Sequence, residues 1–176
     1  MTEDLRYPVG KFAMAAEWDA GSIAECRKDL AELPAKMRTA IAGLSDVQLD
    51  TPYRDGGWTV RQTVHHVADS HLNAYCRFRL ALTEDVPTIK PYLEERWAEL
   101  PDARTLPVAP SLAILDGVHT RLLALIDTMT PEQWQTRFMH PERGDTMTLA
   151  QTAGLYSWHS RHHVAHITRL RTRRGW

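Results

Sequence analysis

The chain has 176 residues, of which 43% are hydrophobic and 24% charged, a composition that excludes a disordered polymer and suits one folded domain. With 21 basic and 22 acidic residues the formal net charge is -1, so no overall field attracts nucleic acid or anionic lipid. Two cysteines, Cys26 and Cys76, are too few for a disulfide framework or a thiolate metal site. We therefore expect one domain over residues 1–176, with no nucleic-acid or membrane partner.

The N-terminal sequence MTEDLRYPVGKF carries acidic residues where a signal peptide carries basic ones, and no apolar stretch follows it. No segment approaches the ~20 consecutive apolar residues of a membrane span. These features predict a cytoplasmic protein.

The first predicted helix has apolar residues three and four positions apart from Ile23 to Leu44. Pro34 lies inside this pattern and predicts a kink or a short break. The polar run from Gly43 to Gly57 ends the segment.

The second predicted helix opens with a capping box at Thr59-Val60-Arg61-Gln62 and runs to about Leu82. A proline-punctuated connection follows from Val86 to Pro110, with a short helical piece around Tyr92 to Leu100. Connections of this length are uncommon in compact domains and are usually functional, so this one could cover a site.

Two more long helices are predicted in the second half of the chain. One starts at Ser111 and is followed by a short helix capped at Thr130, whereas the other is capped at Thr148 and reaches about Thr172. The turn-rich stretch 138–146 between them is compatible with a loop or a small hairpin. The fold class predicted is therefore all-α, a four-helix bundle with short extra helices and a long connection between the second and third long helices.

The last helix contains WHSRHHVAHI at 158–167, which holds four of the nine histidines. At about 100° per residue, His159 and His163 fall inside the apolar stripe, whereas His162 lies about 100° and His166 about 60° from His163. Two imidazoles four residues apart can bind one metal ion at ~2.0–2.1 Å. The inward pair is a candidate half of a metal site, although a single buried histidine is more often a hydrogen-bonded packing residue.

A second cluster, HHVADSH at 65–71, offers candidates for a third ligand. Periodicity places His71 on the apolar face of its helix and His66 on the opposite, polar face. The pattern favours His71 as the inward residue, but the polar face could also line a cavity. Spacing does not decide between the two.

Trp58 followed eight positions later by His66, together with His159-x-x-x-His163, resembles the metal-binding pattern of the DinB-like superfamily of four-helix bundles. The match is closer to its YfiT-type branch, bacterial proteins described as metal-dependent hydrolases, one of them as a bacillithiol transferase. The resemblance spans nearly the whole chain. It is carried by YPVG at 7–10, DTPYRDGGWTVRQTVHHVADSH at 50–71, LALTEDVPTIKPY at 80–92 and GLYSWHSRHHVAHI at 154–167.

This resemblance implies one divalent metal ion held by His66, His159 and His163, where periodicity alone favours His71, and it also implies a homodimer. Zinc is expected first and nickel second, because imidazole ligands suit both. Several residues could hydrogen-bond the remaining ring nitrogens of the ligands. These candidates are His65, His71, His162, His166 and Asp69.

Three histidines without a fourth protein ligand describe an open site, as in catalytic centres. No catalytic side chain is identified, and the reacting group is expected to be a metal-bound water or a thiolate. No Glu stands beside a metal histidine as in H-E-x-x-H, which weighs against peptide hydrolysis. A low-molecular-weight-thiol S-transferase acting on a small electrophile, or a metal-dependent hydrolase, is therefore expected.

Three further residues could hold an anionic substrate or thiol near the metal: Tyr53, Arg54 and Arg77. Arg54 is included because glycines 56 and 57 allow its loop to approach the site closely. The alternative to an enzyme is a non-catalytic metal-stabilised bundle or a ligand-binding stress protein.

Overall fold

Helical capping and apolar periodicity shape most of the chain. The structure, a computed structural model, describes residues 4–15 and 17–176. Its elements in chain order are α1 (Ala20–Ile41), α2 (Asp46–Leu49), α3 (Val60–Thr83), α4 (Glu94–Trp97), α5 (Pro101–Thr105), α6 (Ala109–Ile126), α7 (Pro131–Trp134), β1 (Arg137–His140), β2 (Asp145–Thr148) and α8 (Leu149–Arg174).

Local capping chemistry sets the helix starts. Capping boxes begin α3 at Thr59, α7 at Thr130 and α8 at Thr148, as predicted. A further capping box at Ser45 begins the four-residue helix α2, which the sequence pattern did not predict. Of the kink or short break predicted at Pro34, the break does not occur, because α1 continues through that residue. Leu33 and Met37 are fully buried on either side of it, and this packing holds the helix together.

The four long helices form the bundle. Helix α1 packs against α6 and α8, and α3 packs against the same two helices. The consecutive long helices α1 and α3 therefore occupy opposite corners, so α8 lies beside α3 in space. This arrangement brings the two histidine-rich segments of the sequence together.

A small antiparallel hairpin closes one end of the bundle. Strands β1 and β2 pair from Arg137 opposite Thr148 to His140 opposite Asp145. Of the two possibilities left open for residues 138–146, the hairpin is the one formed. Phe138 and Met147 of this hairpin are buried in the adjoining core, which fixes it against the helices.

The apolar core is divided into two clusters along the bundle axis. On α3 the division falls between Ala68 and Ala74, and on α8 between Tyr156 and Ile167. His71 lies in the first interval, and His159 and His163 lie in the second. A layer of histidines therefore separates the two apolar clusters.

Helix α6 is the one helix in the described part of the chain that is long and apolar enough to cross a membrane by length and composition, with a mean hydropathy of 1.3. Its apolar residues Leu112, Leu115 and Leu122 are buried in the bundle. About 33% of this helix is buried in the bundle, and length and composition alone are weak evidence for a membrane span.

The segment before α1 runs along α8. The indole Nε1 of Trp158 donates a hydrogen bond to the carbonyl oxygen of Gly10 at 3.0 Å. Nε2 of His166 lies 3.2 Å from the carbonyl oxygen of Arg6, and the ring of Tyr7 lies 6.0 Å from that of His162. The segment thus covers His162 and His166, which are both buried although periodicity places His162 outside the apolar stripe and His166 at its border.

Candidate metal centre

Three imidazoles from two neighbouring helices converge on one point. His66 is on α3, and His159 and His163 lie one turn apart on α8. One ring nitrogen from each of the three lies within 4.8 Å of the others. The Nε2 atoms of His66 and His159 are 3.1 Å apart. The two faces that meet here are the polar face of α3 and the inward face of α8.

The distances fit a metal ion. Two nitrogens that each lie ~2.1 Å from one ion, at the usual coordination angles, are about 3.0–3.4 Å apart. The observed separation of 3.1 Å between the Nε2 atoms of His66 and His159 falls in this range. The donors are all imidazole nitrogens, which suit zinc, nickel and related divalent ions. The residues present therefore fit a divalent metal ion.

The electrostatic setting keeps these imidazoles neutral, the form that binds metal. Burial, with a smaller contribution from His162, lowers the pKa of His66 to about 4. Burial and the neighbouring imidazoles hold the pKa values of His159 and His163 well below the usual value. Each of the three rings is consequently neutral at neutral pH and keeps one nitrogen with a lone pair.

His163 also belongs to a second histidine group, formed with His162 and His166. Here Nδ1 of His163 lies 3.4 Å from Nδ1 of His166, whose Nε2 lies against the Arg6 carbonyl. This group lies within one helix, α8, whereas the group with His66 and His159 joins α3 to α8. The group with His66 and His159 is therefore the better candidate for a metal ion.

The second ring nitrogen of His159 is also engaged. Its Nδ1 lies 3.3 Å from Nε2 of His71, and Nδ1 of His71 lies 3.1 Å from Nε2 of His119. Nδ1 of His119 lies 2.7 Å from the carbonyl oxygen of Leu30. A line of contacts thus crosses the bundle from α8 through α3 and α6 to α1.

A cavity of about 980 Å³ opens beside the three histidines. The three residues expected to contact an anionic group all line it. Tyr53 stacks on His166 with ring centroids 3.9 Å apart, and Arg77 donates a hydrogen bond from Nη1 to the hydroxyl of Tyr156 at 3.2 Å. Arg54 lies over the Tyr53 ring, and its Nε is buried with no hydrogen-bond partner among the residues that the structure describes.

The loop that carries Arg54 turns tightly at the two glycines. Gly56 has a φ of 65°, a backbone conformation that favours glycine. A Cβ atom at Gly57 would lie 2.8 Å from Cγ of Arg54, so a larger residue there would displace that side chain. The glycines therefore allow Arg54 to lie at the cavity wall.

The connection between α3 and α6 forms part of the cavity wall. Gln62 on α3 donates a hydrogen bond from Nε2 to the carbonyl oxygen of Ala98 at 2.8 Å, which fixes the connection beside the site. Charged side chains of both signs face the cavity from this segment. They are Glu94, Glu95, Arg96 and Glu99.

Asp69 is placed away from the cluster. The residue is not part of the cavity wall, and its neighbouring charge is Asp102 on α5. Burial and that charge raise the pKa of Asp69 to about 6. Within residues 4–15 and 17–176 no hydrogen bond joins the Asp69 carboxylate to a ligand imidazole, and the orienting role of Asp69 stays a prediction.

His65 and His162 have different surroundings from the ligand candidates. His65 contacts the hydroxyl of Ser111 at 2.7 Å and the carbonyl oxygen of Leu106 at 3.3 Å, and so anchors the connection to α6. His162 lies in the cavity wall, stacked on Trp158 with ring centroids 4.3 Å apart, and its buried Nδ1 has no hydrogen-bond partner in residues 4–15 and 17–176.

Sequence reasoning missed His119 and Tyr156 near the site. His119 is buried on α6, and Tyr156 is a cavity-lining residue whose ring centroid lies 5.8 Å from that of His159. A lone histidine between Val118 and Leu122 in an apolar stripe was a usable signal for a buried polar contact. Tyr156 gave no signal, because tyrosine is common on apolar stripes.

Comparisons with known proteins give consistent matches over the chain. The family model of the DinB superfamily matches residues 15–167. A protein of Bacillus mycoides (strain KBAB4), named "Putative metal-dependent hydrolase", is 52% identical over 174 residues, which covers 99% of this chain and 99% of that protein. YfiT of Bacillus subtilis (strain 168), named in the same way, is 49% identical over 178 residues and covers 98% of this chain and 97% of its own.

A solved structure is also closely similar. It is that of YfiT from Bacillus subtilis, described as "a probable metal-dependent hydrolase with an unusual four-helix bundle topology". The match has a TM-score of 0.95 and 48% sequence identity, and covers 98% of this chain and 99% of that chain.

Proposed function

The chain belongs to the DinB superfamily, and from this membership and the geometry above we propose that it is an enzyme dependent on one divalent metal ion held by His66, His159 and His163. The comparisons confirm the family and the four-helix-bundle fold expected from the sequence. The names of its relatives support a metal-dependent enzyme. The observation that carries the proposal is the convergence of three neutral imidazoles at the wall of a large cavity.

A bound divalent ion would supply Lewis-acid chemistry, lowering the pKa of a water molecule or thiol that reaches it. The chain's own residues hold the three donors and limit the access of solvent. The indole of Trp58 lies 4.5 Å from the ring of His66 and 6.3 Å from that of His163. It therefore covers one side of the centre with apolar surface, while the cavity leaves another side open to a substrate.

Thiol S-transfer is the reaction we propose first. In this reaction a low-molecular-weight thiol of the bacillithiol type releases its proton to water, its sulfur bonds to an electrophilic carbon, and the leaving group departs with the electron pair of the broken bond. The guanidinium groups of Arg54 and Arg77 in the cavity wall support it, because they suit an anionic thiol or substrate. The carboxylates in the described part of the wall, at 94, 95 and 99, belong to exposed residues, so none is held as a buried base beside the imidazoles.

Hydrolysis is the second candidate, and the names of the relatives favour it. It would require one of the connection carboxylates, such as Glu94 or Glu99, to act as a base after substrate binding. A non-catalytic role, in which the ion only joins α3 to α8 or the cavity only stores a ligand, is the remaining alternative.

Several further properties belong to the same proposal. Zinc is the first candidate metal and nickel the second, on the basis of an all-imidazole donor set. The substrate is a small electrophile. If transfer is the reaction, a low-molecular-weight thiol is the second substrate. We also propose a cytoplasmic homodimer without a nucleic-acid or membrane partner.

Metal content is the first test. We would measure zinc and nickel per chain in the wild type, in His66→Ala and in the double variant His159→Ala/His163→Ala. The control is His140→Ala, which removes a cavity-lining histidine outside the candidate group. The proposal predicts about one ion per chain in the wild type and control and a strong loss in the other two. Equal metal in all four proteins would overturn it.

Activity is the second test. The metal-loaded protein would be assayed for thiol conjugation to small electrophiles and, in parallel, for hydrolysis of esters and amides without thiol. Turnover that requires both thiol and metal supports transfer, whereas thiol-independent turnover supports hydrolysis. Metal binding without either activity would favour the structural or ligand-binding alternative.

A further inference from the structure

Two of the candidate ligands have their second ring nitrogen in a chain of contacts that ends on a backbone carbonyl oxygen. We propose that these two chains, His159–His71–His119 and His163–His166, fix the tautomers of His159 and His163 so that each presents an Nε2 lone pair to the metal position. This inference rests on the proposed function. His71, His119 and His166 are then positioning residues that act through the ligands.

The direction of the first chain follows from its last acceptor. The carbonyl oxygen of Leu30 can only accept, so Nδ1 of His119, at 2.7 Å, must donate. A neutral imidazole has one N–H, which leaves Nε2 of His119 as an acceptor from Nδ1 of His71 at 3.1 Å. Nε2 of His71 then accepts from Nδ1 of His159 at 3.3 Å. The Nε2 atom of His159 is left with its lone pair free.

The second chain obeys the same rule. The carbonyl oxygen of Arg6 lies 3.2 Å from Nε2 of His166, which must therefore donate. Nδ1 of His166 becomes the acceptor for Nδ1 of His163, 3.4 Å away. The Nε2 atom of His163 is consequently left with its lone pair free, as in the first chain.

Burial makes these assignments hard to reverse. His71 is 0% and His119 is 1% exposed, so solvent does not supply alternative partners. If the proton of His119 moved to Nε2, the Leu30 carbonyl oxygen would lose its donor. That proton would also face the N–H at Nδ1 of His71, unless the proton of His71 moved as well. An unpaired buried polar group is unfavourable, so the packed structure selects one proton arrangement.

The location of His71 and His119 agrees with this role. His71 lies in the interval on α3 between the two apolar clusters, and His119 follows Val118, a member of one of them. Both imidazoles are buried among apolar core residues. Orienting a ligand gives these polar groups a function.

The tautomers can be read directly in the metal-free wild-type protein. Nitrogen-15 NMR of labelled histidines distinguishes an N–H at Nδ1 from an N–H at Nε2. We expect His159 and His163 to carry the proton on Nδ1. A proton on Nε2 of His159 would overturn the proposal for the first chain of contacts, and a proton on Nε2 of His163 would overturn it for the second. Because no metal is needed, this measurement separates failure of the inference from failure of the proposed function.

Variants at His119 test the remote effect. In His119→Gln the glutamine carboxamide can donate to the Leu30 carbonyl oxygen and accept from His71. In His119→Leu the side chain can do neither. We expect zinc affinity, measured by competition with a chelator, to fall about 10–100-fold in the Leu variant and to stay within a few-fold of wild type in the Gln variant. Equal affinity in the Leu variant and the wild type would contradict the role of His119.

A matched control removes another buried histidine. His65→Leu deletes an imidazole that also contacts a hydroxyl and a carbonyl oxygen but lies outside both chains. We expect its zinc affinity to match that of wild type. A loss of zinc affinity in both His65→Leu and His119→Leu would reassign the effect to a general loss of packing. The second chain of contacts is tested in the same way with His166→Gln and His166→Leu.

Discussion

Gln62 joins helix α3 to the connection beside the cavity through a hydrogen bond from its Nε2 to the carbonyl oxygen of Ala98, 2.8 Å away. The same amide nitrogen lies 3.1 Å from Oε1 of Glu99, while Oε1 of Gln62 accepts from the backbone nitrogen of Thr59 in the capping box. One side chain thus begins the helix and holds the cavity wall.

The first prediction separates these two tasks. Gln62→Glu keeps the acceptor for the capping box but removes the donor to Ala98 and adds a charge beside Glu99. We expect the free energy of unfolding to fall by about 1–3 kcal/mol and hydrogen exchange to rise in residues 94–105. The control is Gln133→Glu in the exposed capping box of α7, which should change stability little. Equal stability of the two variants would contradict the role of the Ala98 contact.

The second prediction concerns pH. Burial is the main cause that lowers the pKa values of His66, His119 and His162 to about 4 and that of His166 to about 3. These imidazoles remain neutral in the folded state, whereas the unfolded chain takes up protons near pH 6.5. Stability is therefore lost as the pH falls from about 6.5 towards about 4, and the loss levels off below that.

Each such histidine should cost about 1.4 kcal/mol at pH 5.5 relative to pH 7.5. Asp69 acts in the opposite direction, because its pKa is raised to about 6 and its folded form gains a proton as the pH falls, but it is one group against nine histidines with lowered pKa values. Urea unfolding of the metal-free protein at the two pH values measures the net effect. Stability that is equal or higher at pH 5.5 would refute this account.

The third prediction concerns the contact of Trp18 with α8. A Cβ atom added at Gly154 would overlap the six-membered ring of the Trp18 indole. Gly154→Ala should therefore lower the free energy of unfolding by about 1–3 kcal/mol. Gly117→Ala is the matched control, because that helical glycine on α6 is exposed with open space around it, and it should raise stability by about 0.5–1 kcal/mol. A neutral Gly154→Ala would mean that the indole moves aside freely.

The fourth prediction compares two arginines on α3. Arg77 donates to the Tyr156 hydroxyl at the cavity wall, and Arg79 donates to the Tyr75 hydroxyl at 3.0 Å outside that wall. If the co-substrate is an anionic thiol, Arg77→Gln should raise its KM about tenfold or more while bound metal is unchanged. Arg79→Gln should leave KM near the wild-type value. An unchanged KM in Arg77→Gln would exclude Arg77 from substrate binding.

Helix positions were predictable because capping is local chemistry. Thr59, Thr130 and Thr148 each stand three residues before a glutamine, and the two side chains satisfy each other's backbone donors. Helix α2 begins with the same box at Ser45, but four residues are too few to give a periodic pattern. Short helices of this kind are therefore accessible from capping signals and not from periodicity.

The choice between His66 and His71 could not be made from periodicity for a physical reason. Helix α3 is buried over most of its circumference between Val60 and His71, so two different faces point inward. One face, with His66, lines the cavity, and the other, with His71, lies in the core. A single apolar stripe describes only one of these faces.

His119 shows a different limit. Its place in an apolar stripe signals a buried polar contact, but its partner His71 is 48 positions away on another helix. Only the packing of α3 against α6 brings them together. The carbonyl oxygens of Leu30 and Arg6 are beyond sequence reasoning altogether, because every residue carries one.

Because every residue has a backbone carbonyl oxygen, the acceptor beside His166 does not depend on which side chain stands at position 6. Replacing the side chain at position 6 leaves a main-chain acceptor beside His166 as long as the segment follows the same path. An insertion or deletion before α1 would instead shift that path and move the acceptor away. The support of the site should thus tolerate drift in residue identity at this position and be sensitive to changes in chain length.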